Sequence, residues 1–423
     1  MSCRVRSGPS AHSAGMTRTR AALALATAIV IATSLSATAG AAAGPGARHL
    51  PHGCVSSPEP HSGPARQVLD IAQQGKTRYG LNSVILKVTV GGRELVTSAL
   101  GESMTGVPAE PDMHFRAGSV GIAYMGTVLL QLVDEHVVRL DDPISRWLPE
   151  VPHADRITLR MLGASTSGLH DYVTDPAFLT ELEAHPFRHW TDQDVLAYPF
   201  SHHLWYKPGT NWSYSHGNFV LLGEALERIT HTPLDQLLQQ RVMGPLGLHN
   251  TRNDFTPQIP EPVLHAFTSD RTIYEESTYW NPSWTTARGA VITTDICDLA
   301  RSAQAIGTGE LLSSSGFRTQ LDPGTVGLGG PTKKCPSTVC LHNTEALHYG
   351  FTVLVENGWI IQNPSFAGYA AIQAYLPSKR LAIAVSTTKG PGSPDVNTAE
   401  VIASQIAAAF APDHPIPAPT IVL

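Results

Sequence analysis

Ser119 stands at the head of a stretch in which Val120, Met125, Val128, Leu129, Leu132 and Val133 recur at helical spacing. A serine in that place has two readings. It can cap the helix through its side chain. It can also be a nucleophile, with its own N–H and the helix dipole aimed at negative charge developing on a substrate. Further along, Tyr214 and His216 add a phenol and an imidazole. Tyr214 can equally be a core tyrosine with a satisfied hydroxyl. His216 can be a base poised near neutrality, although the reading as an ordinary loop histidine is preferred. The 19 histidines, including the adjacent His202 and His203, form no HExxH or other zinc spacing, so no metal and no cofactor is expected.

Five cysteines complete the reactive inventory: Cys3, Cys54, Cys297, Cys335 and Cys340. Their reading depends on the compartment. Arg18 and Arg20 precede a short Ala-rich apolar run, followed by Ala37-Thr38-Ala39 and Ala41-Ala42-Ala43, the parts of a secretory signal over residues 1–43. The run is shorter than the roughly 20 residues that span a bilayer, so no stable span is expected after cleavage and the product is expected outside the cell or in the envelope. In that oxidising setting Cys335 and Cys340 are expected to close a small disulfide loop. Cys297 is read as a buried thiol rather than as the partner of Cys54.

The elements that must position these groups can be outlined. Residues 44–64 are rich in Gly, Pro, His and Ser and read as a linker. A helix near 65–78 precedes an alternating strand at 83–90, a Gly91-Gly92 turn and a returning strand at 94–100, hence a hairpin. The middle, 140–315, reads as helical patches between Pro/Gly turns. Strands return at 346–356, 359–361, 370–376 and 381–387, a helix follows near 397–410, and 411–423 is a Pro-rich tail. Strands at both ends with helices between them imply one α+β domain over 65–410. Charged residues make up only 15% of the chain against 42% hydrophobic, which excludes a disordered chain, and a net charge of −6 gives no general attraction for nucleic acid.

One run of motifs goes further. Pro111-Asp112-Met113-His114-Phe115-Arg116-Ala117-Gly118-Ser119 leads into the long helix, followed by Leu140-Asp141-Asp142-Pro143-Ile144 and by Thr158-Leu159-Arg160-Met161-Leu162 with Thr166-Ser167-Gly168-Leu169. Then come Pro208-Gly209-Thr210-Asn211-Trp212-Ser213-Tyr214-Ser215, Val220-Leu221-Leu222-Gly223, Pro245-Leu246-Gly247-Leu248, and Gly358-Trp359 ahead of Ala367-Gly368-Tyr369. In this order and spacing the chain resembles the serine β-lactamase and D-alanyl-D-alanine carboxypeptidase family, in its class C-like, penicillin-binding-protein-like branch. The resemblance implies a β-lactamase/transpeptidase-like fold, an antiparallel sheet flanked by helices with an inserted helical subdomain. It also implies acyl transfer through a serine, helped by a lysine three residues on, a Tyr-x-Asn loop and a Lys/His-x-Gly strand.

The resemblance maps the nucleophile onto Ser119 and the loop tyrosine onto Tyr214, and it exposes departures. The lysine position is Ile122, the asparagine position is His216, and the strand motif reads Gln362-Asn363-Pro364 with Ser365 following. Ile122 cannot accept a proton. Pro364 brings a ring and a fixed φ where glycine belongs. The resemblance therefore implies a degenerate site in which Ser119 and Tyr214 persist, and His216, Gln362 and Ser365 line the ligand cleft. The favoured expectation is a protein that binds a small acyl or peptidoglycan-like ligand with little turnover. An active serine hydrolase using Ser119 with Tyr214 or His216 is the alternative, and a purely structural envelope protein with a collapsed cleft is a third.

Overall fold

The hairpin is the seed of the sheet. β1 (Ser83–Val90) pairs antiparallel with β2 (Arg93–Met104) across Gly91 and Gly92, whose φ of 63° and 78° are the left-handed values this tight connection needs. The other edge of β1 pairs with the strand Leu381–Thr388, from Ser83 opposite Thr388 to Val90 opposite Leu381. The two ends of the domain therefore meet in one sheet. Its order runs Val107–Pro108, β2, β1, Leu381–Thr388, Tyr369–Leu376, Trp359–Gln362, Leu354–Glu356 and Leu347–Tyr349, and Ser365–Phe366 also pairs with Tyr369–Leu376. Every pairing is antiparallel. The computed structural model describes residues 53–253, 255–417 and 419; the secretory-signal segment and residues 44–52 of the linker lie outside them.

Strand alternation divides the sheet into two faces. Val84, Leu86, Val88, Ile372, Ala374, Leu376, Ile383 and Val385 face one way and pack on α1 (Gly63–Arg78) and the helix Thr398–Phe410, through Val68, Ala72, Ile402, Ala403 and Ile406. Tyr375 and Ala382 face the other way against Ala303 of the helix Ile296–Thr308. Ile85, Ala371 and Ala384 join a larger core on that side with α2 (Val120–Asp134). α2 is apolar almost all round and nearly every residue of it is buried, as a helix through the middle of a domain should be. It is hemmed in by backbone: a Cβ on Gly121 would lie 2.1 Å from the Ala290 carbonyl oxygen. The helical patches expected in the middle include Leu159–Gly163, Pro176–Ala184, Asp192–Ser201 and His216–Thr230.

Two sequence expectations change. The single strand at 346–356 is two short strands, Leu347–Tyr349 and Leu354–Glu356, paired with each other. The turn between them is held by outside partners, Phe351 N–H to Gln320 O at 2.7 Å and Thr352 N–H to Gly163 O at 2.9 Å, and neither bond is written in local alternation. Cys297 is not a free thiol. It is bonded to Cys54, with Cα atoms 5.7 Å apart across 243 residues, and sequence spacing cannot reveal so distant a pairing. Residues 54–57 consequently lie against the domain, and Ser57 exchanges bonds with Thr97 (N–H to Thr97 O, and Thr97 N–H to Oγ, both 2.8 Å). Cys335 and Cys340 are bonded to each other. The Pro-rich segment after Ala411 also packs down: Trp359 Nε1 donates to His414 O at 2.7 Å and Ile416 is buried.

Candidate active site

Ser119 immediately precedes α2 with backbone already helical (φ −60°, ψ −11°), and its side chain makes no capping bond. The capping role needs an extended residue whose oxygen is turned onto the first amides, so the hydroxyl is not engaged by the helix end. Instead it lies near the Tyr214 hydroxyl, close enough to lower the pKa of that phenol. Ile122 N–H bonds Ser119 O at 3.0 Å, which places Ile122 one turn along, fully buried in the main core. The position that would need an amine is thus filled by an aliphatic side chain.

Tyr214 is held by the turn at 165–167. Ser165, at φ 55°, donates its hydroxyl to Ser213 O at 2.9 Å and accepts from Ser215 N–H at 3.1 Å. Asn218 ties the same turn to the next helix, its amide donating to Ser165 Oγ and Ser215 O. Tyr214 also packs edge-on against Tyr349, ring centroids 5.6 Å apart. Burial pushes the Tyr214 hydroxyl well above the ordinary phenol value, the Asp171 carboxylate pushes it the same way, and the nearby Ser119 hydroxyl pulls it down. Tyr214 therefore stays a phenol at neutral pH, a hydrogen-bonding group and not a base.

His216 opens the helix His216–Thr230 and is buried. Its Nδ1 lies 3.0 and 3.1 Å from the two carboxylate oxygens of Asp171, and its backbone N–H donates to Asp171 Oδ1 at 3.1 Å. A carboxylate only accepts, so Nδ1 carries the proton and the lone pair of the neutral ring is on Nε2. The ring sits edge-on to Tyr214, centroids 5.0 Å apart, with Tyr172 on another side at 5.8 Å. This is not the environment of an ordinary loop histidine. Asp171 is the residue the sequence reading missed. Its only signal was a carboxylate two positions after the Thr166-Ser167-Gly168-Leu169 motif.

The strand motif flanks the start of α2. A Cβ on Gly118 would lie 3.7 Å from Pro364 Cβ, so the proline ring borders Ser119's neighbour. Ser365 begins a short strand paired with Ala370, and its buried Oγ has no hydrogen-bond partner. Gln362, expected in the cleft, is committed elsewhere: it is buried and its amide donates to Thr352 O, closing the 350–353 turn from behind. Asn397 holds the strand motif from the far side, with Nδ2 donating to Asn363 O (2.9 Å), Pro364 O (3.2 Å) and Ala371 O (3.1 Å). Asn363 donates in turn to Glu400 at 3.0 Å.

The arrangement thus brings together a helix-start hydroxyl, a phenol near it and an imidazole–carboxylate pair beside the phenol, with Pro364 alongside Gly118. Among the described residues no three His, Cys, Asp or Glu side chains form a metal ligand set, and no helix is long and apolar enough to cross a membrane.

Known proteins share this framework. The chain is 24% identical over 270 residues to penicillin-binding protein 4* of Bacillus subtilis, covering 60% of this chain and 54% of that one. It is 30% identical over 179 residues to the D-alanyl-D-alanine-carboxypeptidase/endopeptidase AmpH of Escherichia coli, covering 40% and 44%. The chain thus spans about half the length of the curated relatives it matches. Among solved structures, a D-stereospecific amidohydrolase from Streptomyces sp. superposes with a TM-score of 0.67 at 24% identity, over 84% of this chain and 99% of that one. A D-amino acid amidase from Ochrobactrum anthropi, complexed with L-phenylalanine amide, gives 0.68 at 21%, over 82% and 99%. Both carry the same fold, an antiparallel sheet with flanking helices. The beta-lactamase family profile matches residues 68–407, and the chain belongs to that family of serine hydrolases and their relatives.

Proposed function

We propose that this protein is an exported member of the family that takes a small acyl or peptidoglycan-like ligand into the cleft beside Ser119 and turns it over poorly. The observation that carries the reading is Ile122, a fully buried aliphatic side chain one helical turn from Ser119. Without an amine there, the Tyr214 phenol has nothing to offset burial and the Asp171 charge, so on its own it cannot serve as the base for Ser119 at neutral pH. General acid–base assistance is worth roughly 10²–10⁴ in rate, and its loss from a coupled unit is felt almost in full. The ligand class is supported by the relatives, several of them penicillin-binding proteins, and by an amidase structure holding an amino-acid amide.

Intact-mass analysis of the mature protein after incubation with a penicillin and with a fluorophosphonate tests this. A slow, stoichiometric adduct on Ser119 with no accumulating product is expected, and Ser119→Ala should take no label. Product formation at ordinary enzymatic rates would make the active-hydrolase reading correct. Neither adduct nor saturable binding would leave only a structural role. Export is tested separately: sequencing of secreted material should begin between Gly40 and Gly46, and material still starting at Met16 would count against it.

A further inference from the structure

We propose that Asp171 holds His216 as the proton acceptor for Ser119, with the Tyr214 hydroxyl carrying the proton between them. The inference rests on the reading of Ser119 as an acylable serine and supplies the base that Ile122 cannot. Three observations make the path. The Ser119 hydroxyl lies beside the Tyr214 hydroxyl and acts on its titration. The His216 ring stands edge-on to Tyr214 with centroids 5.0 Å apart. Asp171 occupies Nδ1 and also takes the His216 backbone N–H, so the ring is fixed with its lone pair on Nε2. The carboxylate has a third bond, from Val173 N–H at 3.3 Å, which anchors it to its own turn.

The proton balance closes. Ser119 Oγ bonds the acyl carbon as its proton moves to the Tyr214 oxygen and the proton of Tyr214 moves to His216 Nε2. The imidazolium, paired with Asp171, returns one proton by the same route to the leaving amine or alcohol as its bond to carbon breaks. Tyr214 is never required as a free phenolate, which its surroundings forbid. Asp171 is a positioning residue that also stabilises the imidazolium, offsetting the helix N-terminus on which His216 sits. The groups facing the ring are Asp171, Tyr172 and Tyr214. From the packed helix Asp192–Ser201, Asp192, raised by burial to about 6, adds a negative charge near Tyr172 only above that pH.

The test is the rate of labelling by a fluorophosphonate from pH 5 to 9, read by intact mass. For the wild-type protein the rate should climb as an imidazole loses its proton and then level off. His216→Asn should remove that inflection and slow labelling at least tenfold. Asp171→Asn should lower the plateau, because the ring loses the carboxylate that fixes its proton on Nδ1. Melting curves accompany each variant, and the wild-type profile decides even if a variant fails to fold. A flat wild-type profile, or an unchanged rate in His216→Asn, overturns this inference while leaving Ser119 acylable. No label on the wild-type protein overturns the inference and the acylable-serine reading together.

Discussion

Glu356 and Glu400 lie buried close to the strand motif, and their replacement gives a sharp test of how that motif is held. Glu356 is the last residue of its strand, and its Oε2 has no hydrogen-bond partner. Glu400 accepts from Asn363, next to Pro364. Burial, and then the charge of Glu400, raises the Glu356 carboxyl from 4.5 to about 8; burial raises Glu400 to about 7 against the Asn363 bond. Both groups are protonated in the folded protein at pH values where the unfolded chain has ionised them. Their contribution is therefore complete below about 4.5 and is lost as pH rises through 7 to 8. Carrying one carboxyl from 4.5 to about 8 corresponds to about 5 kcal/mol at about 1.4 kcal/mol per pH unit, an upper bound because the mutual repulsion is shared. Glu356→Gln should therefore stabilise the protein by about 2–4 kcal/mol at pH 8.5 and by less than about 0.5 kcal/mol at pH 4.5. Other raised carboxyls, such as Glu224, cancel in the difference between the two proteins. Urea unfolding at several pH values reads the effect. Parallel stability curves for wild type and variant would show that the carboxyl is ionised in the fold and would refute the reasoning.

Further perturbations bear on the site and the cross-links. Ile122→Lys should lose several kcal/mol of stability, since a buried amine is costly, yet raise β-lactam acylation or ester turnover about tenfold. The double change with Pro364→Gly should raise it further, and added Ser119→Ala should abolish every gain; equal rates with and without Ser119 would deny it the nucleophile's role. Pro364→Gly alone removes the ring beside Gly118 and should speed labelling by a bulky cephalosporin more than by a small fluorophosphonate, measured as a ratio of the two rates. Opening Cys54–Cys297 by paired serine substitution should cost about 3–5 kcal/mol in urea unfolding, and opening Cys335–Cys340 about 2 kcal/mol, because the chain-entropy term grows with loop length. Non-reducing peptide mapping should recover both pairs.

Local chemistry explains what the sequence made legible. The hairpin at 83–100 could be read because strict alternation and two glycines are local signals, and the C-terminal strands and last helix were readable for the same reason. The 346–356 stretch was misread because its turn depends on Gln320 O and Gly163 O, partners that only the folded chain brings near. Cys297 failed for the same cause across 243 residues. At the site, Ser119, Ile122, Tyr214 and Pro364 were identifiable because a motif carries them in order. Gln362 was placed in the cleft by that same order, but the turn behind its strand offers a carbonyl that its amide reaches. Asp171 carried almost no signal, since its meaning comes from His216, 45 residues away.

The contrast between Ile122 and His216 bears on what the site is for. Exchanging a buried amine for isoleucine in the main core needs no functional explanation, because it removes a desolvated charge and fills the space with apolar atoms. The same argument does not extend to the Asp171–His216 pair. Two ionisable groups with side chains 12% and 8% exposed gain little net stability from each other, and a well-packed apolar pair of similar volume would serve the fold at least as well. The pair's histidine also sits where the family resemblance places a neutral asparagine, and its carboxylate raises the Tyr214 phenol, the opposite of what the lost amine would do. A pair that does little for folding and disables the tyrosine as a base makes physical sense if the imidazole itself receives the proton. On that argument the site is re-wired around a different base, and the pH dependence of Ser119 labelling is the measurement on which that conclusion turns.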